Sequence, residues 1–215
     1  MRVRNIKGIE EEIQRLAGAA FVSDPFSLRG RWRQTFGNEG PIHIEIGCGK
    51  GRFITQMALE NPTINYIAIE KVEEVLHKTV LRMEGLTNIR ILHTDGNLLQ
   101  DMFGEGEIDR IYLNFSDPWP KSRHHKRRLT AEGFLKQYRK VLKKDGRICL
   151  KTDNPILFEY SLNTMAPLFR LEQVSLDYQP SKELYDVMTE YEEKFRKNGQ
   201  PIYRLEAVNI HQEAP

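Results

Sequence analysis

No apolar stretch in this chain approaches the roughly 20 residues that a membrane-spanning helix needs. Only two of its 215 residues are cysteines, Cys48 and Cys149. They stand far apart and without ligand spacing, so neither a disulfide framework nor a zinc site is expected, and no metal is assigned. The first sixteen residues carry charges but no apolar segment, and no secretory signal is read there. Charge of one sign is also missing overall, because the formal net charge is only +2. These absences point to a soluble, cytoplasmic, non-membrane protein. What is present is a core: 40% of residues are hydrophobic and 29% charged, which suits a folded domain rather than a disordered chain.

Apolar β-type runs alternate with amphipathic stretches. Strands are expected at 42–46, 66–69, 89–93, 110–114, 147–152, 171–177 and 203–208. Helices are expected at 50–60, 72–84, 131–141 and 155–169. Thr130 reads as a cap for the third of these. Asn61-Pro62 and Lys144-Asp145-Gly146 read as breaks. The alternation implies an α/β fold with a mostly parallel, seven-stranded sheet covered by helices on both faces. No strong helix is read between the last two strands, so the sheet ends in an antiparallel pair. Residues 1–40 look like an extension, helical around 9–17 and basic at its tip (Arg2, Arg4, Lys7), ahead of a domain spanning 41–215.

Glu45-Ile46-Gly47-Cys48-Gly49-Lys50-Gly51 follows the first strong strand and opens a helix. Gly47, Gly49 and Gly51 let the backbone turn sharply and approach a ligand. A dinucleotide fingerprint would need its third glycine at position 52, where Arg52 stands. Glu45, just before the loop, would repel a diphosphate but suits an ammonium group. Glu70 ends the second strand, where a carboxylate can accept from a ribose diol. Asp95 and Asn97 end the third, within reach of an adenine edge. A cationic nucleoside with an amino-acid end meets all three demands, and S-adenosylmethionine is that ligand.

The fourth strand feeds Phe115-Ser116-Asp117-Pro118-Trp119-Pro120, a proline-stiffened turn. Directly after it come Lys121, Ser122, Arg123, His124, His125, Lys126, Arg127 and Arg128. Such local cationic density is what binding to an RNA backbone needs, and Arg123 to Arg128 are assigned that role.

With these motifs in hand, the chain resembles the bacterial tRNA (guanine-N7-)-methyltransferases of the Rossmann-like class I methyltransferase fold. The resemblance rests on residues 43–47, 115–121, 123–128, 151–154 and 189–195 and covers nearly the whole chain. It implies cofactor contacts at Glu45, Glu70, Asp95 and Asp117. It implies substrate contacts at Lys121, Asp153, Thr189, Glu190, Tyr191 and Glu192. It also implies tRNA as partner, modified in this family at position 46 of the variable loop; the sequence leaves monomer and homodimer open.

The expected chemistry is spare. Guanine N7 carries an in-plane lone pair and no proton, so it attacks a sulfonium methyl without a general base. Positioning and electrostatics remain. Asp117 is given the central role, held by its flanking prolines, with Trp119 stacking on a base or walling the pocket. Asp153, at an adjacent strand end, is a second carboxylate for the guanine edge. Thr189 and Glu192 are placed on the rim of the pocket for a flipped-out guanosine. Two other readings compete. An amino-methyltransferase acting on DNA or protein would carry an Asn-Pro-Pro-aromatic loop, and Ser116-Asp117-Pro118-Trp119 departs from it. A non-catalytic RNA-binding module would not need an intact Glu45, glycine loop and Glu70.

Overall fold

The computed structural model describes residues 8–179 and 187–210; the basic tip (Arg2, Arg4, Lys7) lies outside them. The elements run α1 (Ile9–Ala17), α2 (Trp32–Phe36), β1 (Ile42–Ile46), α3 (Arg52–Glu60), β2 (Asn65–Glu70), α4 (Glu73–Arg82), β3 (Ile89–His93), α5 (Leu99–Met102), β4 (Ile108–Asn114), α6 (Glu132–Val141), β5 (Leu142–Thr152), α7 (Pro155–Met165), β6 (Arg170–Ser175), α8 (Glu190–Lys197) and β7 (Tyr203–Val208). The sheet order is β3-β2-β1-β4-β5-β7-β6. The first five strands are parallel, and β7 lies antiparallel between β5 and β6. Among the described residues no helix is long and apolar enough to cross a membrane.

Strands β1 and β2 are buried along their full length, as central parallel strands with both faces covered must be. One face packs Ile44, Ile46, Ile67, Ile148 and Leu150 against α5, α6 and α7. The other packs Tyr66, Ala68, Ile91 and Tyr112 against α1, α3 and α4.

The expected extension is built into this core over residues 9–36. Ile13 and Trp32 are fully buried, and Phe21 bridges to Ile91 beside the edge strand. The Glu107 carboxylate accepts from the N–H groups of Gly30, Trp32 and Gly104, which ties the segment to the β4 approach. These contacts have no sequence period.

Four expectations change. First, α8 exists between β6 and β7, where no strong helix was expected. Second, Lys144-Asp145-Gly146 is not a strand break but an irregularity inside β5. The register jumps there from Ile108↔Leu142 to Arg110↔Arg147. Asp145 adopts φ 61°, and Asn209 donates its side-chain amide to the carbonyls of Arg139, Leu142 and Lys143. Third, Thr130 does not cap α6. Its hydroxyl lies 2.8 Å from the Ser161 hydroxyl, tying α6 to α7 instead. Fourth, α7 stops at Met165.

Candidate active site

Glu45, Glu70, Asp95, Asp117 and Asp153 stand at or just past the carboxyl ends of the five parallel strands, on the side where α/β sheets bind ligands, and β1 and β4 flank the point where strand order reverses. Gly47 and Cys48 both donate to the Ile69 carbonyl, so the glycine loop is anchored on the end of β2. Gly47, Gly49 and Gly51 all take positive φ, at 76°, 62° and 76°. A Cβ on Gly51 would stand 2.5 Å from Thr79, whose hydroxyl is already donated to the Gly49 carbonyl. A Cβ on Gly47 or Gly49 would meet nothing within 4 Å, so the loop's upper side faces open space.

Glu70 shapes this loop. Its Oε2 accepts from Gly49 N–H at 3.1 Å, and its Oε1 from Lys71 and Val72 N–H at 2.9 and 3.0 Å. The same carboxylate lines a cavity of 320 Å³ with Gly47, Val72, Asp95, Asp117 and Trp119. A second cavity of 170 Å³ adjoins it across Gly47, Gly49 and Phe115 and reaches Glu45.

Glu45 is 2% exposed. Its Oε1 accepts from the Asn114 side-chain amide at 2.9 Å, while its Oε2 has no partner. Burial pushes its pKa up to about 8; Asn114 and Lys151 oppose the rise and Glu70 adds to it. A buried carboxylate with an unsatisfied oxygen beside a cavity fits an ammonium group. That donor set and the open glycine cradle fit S-adenosylmethionine.

Helix α8 roofs the smaller cavity. Thr189 accepts from Glu192 N–H as its N-cap. Glu190 pairs with Lys50 of the glycine loop and with Arg82 at the end of α4. Arg52 pairs with Glu193. Tyr191 is exposed, lines both cavities, and stacks on Phe115 and Phe195 at centroid distances of 6.3 Å. Thr189 and Glu190 also line the smaller cavity.

Glu192 does not stand on the rim. It is fully buried and paired with Lys151 at 3.1 Å and Arg196 at 2.9 Å, so its lone pairs are committed to the fold. Asp95 accepts from Asn97 N–H, and Asn97 does not line the first cavity. Lys121 is exposed and Asp153 half-buried, and neither lines the two cavities. The neighbouring Asn154 caps α7 by accepting from Leu157 N–H.

Asp117 is exposed on the turn after β4 and faces the larger cavity. Phe115 and Trp119 on either side take φ of 50° and 41°, a conformation that costs non-glycine residues about 1–3 kcal/mol each. Trp119 walls the cavity. The Arg127 guanidinium lies 4.9 Å from its ring centre, and His124 meets its edge at 5.8 Å. Arg123 and Lys126 are exposed, and His125 packs edge-on against Tyr160.

Arg128 must be removed from the proposed RNA-contacting surface. It is 1% exposed, donates to the Pro118 and Trp119 carbonyls at 2.8 and 3.3 Å, and lies 4.4 Å above the Tyr160 ring. It holds the strained turn from below. Sequence reasoning also missed Asn114, the residue before Phe115 that fixes Glu45. A polar side chain directly after the apolar run Ile111-Tyr112-Leu113 was the available signal.

The family described as "putative methyltransferase" matches residues 39–205. The tRNA (guanine-N(7)-)-methyltransferase of Brevibacillus brevis is 49% identical over 96% of this chain and 98% of its own. That of Lactococcus lactis subsp. cremoris is 50% identical over 96% and 97%. Among solved structures, the 16S rRNA (adenine(1408)-N(1))-methyltransferase of Catenulisporales acidiphilia superposes with a TM-score of 0.63 at 14% identity, over 90% of this chain and 95% of that one. An rRNA methylase from Streptococcus thermophilus gives 0.54 at 14%, over 97% and 100%. At that identity the solved structures speak for the fold alone, a class I methyltransferase fold. Half of all residues shared over nearly the full length of both chains says more: the chain belongs to the tRNA (guanine-N(7)-)-methyltransferase family.

Proposed function

We propose that the protein transfers a methyl group from S-adenosylmethionine to N7 of guanosine in tRNA, at position 46 of the variable loop, in the cytoplasm. The observation that carries the reading is Glu45: a buried carboxylate with one unpartnered oxygen, opening on a cavity that runs past Gly47 and Gly49 to Glu70. Glu45 receives the ammonium end of the cofactor, Glu70 the ribose, and the segment at Asp95 the adenine. Bound there, S-adenosylmethionine supplies the methyl group.

The chain's own residues then position and stabilise. Cys48 is no nucleophile, since burial and the nearby Glu45 and Glu70 raise its thiol pKa well above the ordinary value. None is needed, because N7 offers its lone pair directly. Asp117, presented by a turn that Arg128 clamps, faces the ring on which positive charge develops. Arg123, Lys126 and Arg127 hold the RNA backbone. Tyr191 and Trp119 flank the opening as aromatic walls for the base.

The test is methyl transfer to a tRNA transcript from labelled S-adenosylmethionine, followed by digestion and nucleoside analysis. Label in 7-methylguanosine is expected, and none from a transcript in which guanosine 46 is replaced. Binding of tRNA without any methylated nucleoside would instead favour the RNA-binding reading, and label on an exocyclic amine would favour an amino-methyltransferase.

A further inference from the structure

A third cavity, of 540 Å³, opens on the far side of Trp119. Lys71, Trp119, Lys126, Arg127, Phe134 and Gln137 line it. Nothing in the reaction as described above uses Lys71, Phe134 or Gln137. They come from two separate elements, Lys71 from the end of β2 and the other two from the first turns of α6, and they face the cationic turn across the cavity.

The wall has the chemistry of a nucleotide site. Lys71, Lys126 and Arg127 have no carboxylate partner among the described residues, whereas Lys50, Arg52, Arg82 and Lys143 all do. The one acid on the wall, Asp95, accepts from Asn97 N–H and stands on the rim shared with the active-site cavity, where with Asn97 it marks the side assigned to the adenine, away from Lys126 and Phe134 along the chain. Cations left unpaired in a concavity attract phosphate. Phe134 is half-buried, packed on the core and tilted onto Tyr138 at 6.2 Å, and the part of it that lines the cavity with Trp119 is an aromatic surface for a base. The Gln137 carbonyl oxygen accepts from Gln100 N–H, which leaves its amide N–H groups free to donate. Lys71, Asp95, Trp119 and Arg127 also line the larger cavity of the active site, so the two spaces share a rim.

We propose that this cavity seats the nucleotide adjacent to the guanosine being methylated, with its phosphate on Lys71 and Arg127 and its base against Phe134 and Gln137. Neighbouring seats for neighbouring nucleotides keep the target strand extended and the target base out of its stack. The proposal rests on the methyltransferase reading and adds a determinant that this reading lacks: recognition of a flanking nucleotide.

The experiment first establishes that wild type methylates an intact tRNA transcript; failure there counts against the function and not against the subsite. Transcripts with an abasic residue on the 5′ or the 3′ side of the target guanosine are then compared with the intact one, for wild type, Phe134→Ala and Gln137→Ala. Loss of a stacked base lowers affinity about 5- to 150-fold. KM for intact tRNA is expected to rise within that range in Phe134→Ala, and to change no further when one of the two neighbours is abasic. Gln137→Ala, which leaves the core untouched, is expected to show the same loss of discrimination at lower amplitude. Lys71→Ala should flatten the salt dependence of tRNA binding by about one phosphate. Full additivity of variant and abasic effects on both sides of the target overturns the proposal. So does a weakened affinity for S-adenosylmethionine in Gln137→Ala, because the cavity would then belong to the cofactor.

Discussion

Arg127 and Arg128 are identical neighbours, yet replacing them should do opposite things. Arg128→Met keeps most of the volume and removes the charge. The wild-type guanidinium makes two hydrogen bonds to carbonyls, at 2.8 and 3.3 Å, and covers the Tyr160 ring at 4.4 Å. Charged hydrogen bonds contribute about 1.5–3 kcal/mol and a desolvated cation–π contact about 0.5–2. Part of this is offset, because a buried charge is itself costly and methionine is not. A net loss of about 2–4 kcal/mol remains. In a chain of this size each kcal/mol shifts Tm by roughly 2–4 °C, so a fall of about 4–16 °C is expected by calorimetry. The strain at Phe115 and Trp119 loses its restraint in the variant, so turnover should drop as well. The salt dependence of tRNA binding should not move. In Arg127→Met the pattern reverses: Tm holds, and the slope of log affinity against log salt shrinks by about 0.7–0.9. If Arg128→Met kept its Tm and lost that slope instead, Arg128 would be a phosphate ligand and the clamp would be wrong.

Three further outcomes follow from the site. Glu45 has a pKa raised to about 8, against about 4.3 for an ordinary glutamate, so its burial costs the free protein stability as pH climbs from about 4.3 to 8, and at pH 7 the group is mostly protonated. Binding an ammonium cofactor at pH 7 should therefore release close to one proton, measured by titration calorimetry in buffers of different ionisation enthalpy; release that is zero, or the same in Glu45→Gln, removes Glu45 from the ammonium site. Asp117→Asn should lower single-turnover methylation by about 10²-fold while tRNA affinity stays within a factor of a few; a wild-type rate would end its central role. Glu190→Gln releases Lys50 and Arg82 from α8, costs under about 1 kcal/mol of stability, and should weaken cofactor binding at low salt more than at high salt; equal affinity at both salts would show that α8 does not hold the cavity closed.

The strands were legible because burial demands segments rich in Ile, Leu and Tyr, with few polar interruptions such as His43 and Arg90, and the acids at strand ends because each matches one part of a ligand. The missing parts depend on partners distant in sequence. Helix α8 reads Glu-Tyr-Glu-Glu-Lys-Phe-Arg-Lys, with only Tyr191 and Phe195 as an apolar pair, too little for an eight-residue helix to stand alone. Phe115, Lys50, Arg52, Arg82 and Lys151 supply what it lacks, from segments far from it along the chain. Arg128 differs from Arg127 only in that Tyr160 and two carbonyls of a strained turn lie beneath it.

Three buried glutamates show what separates structure from function here. Glu192 is satisfied twice over by Lys151 and Arg196, and nothing is left for a ligand. Glu70 is satisfied by three backbone N–H groups, which shape the glycine loop while the carboxylate still borders the cavity. Glu45 has one neutral donor, Asn114, and an empty oxygen. Leaving a buried acceptor unpaired costs about 1–3 kcal/mol, more for a charged group. The fold tolerates that cost at Glu45 by letting the carboxyl hold its proton up to about pH 8. An incoming ammonium removes the penalty and restores the charge. Affinity at this end of the site thus comes from relieving a defect of the free protein, and a substitution that repaired the defect, such as Glu45→Gln, should raise the stability of the free protein above neutral pH while weakening its hold on the cofactor.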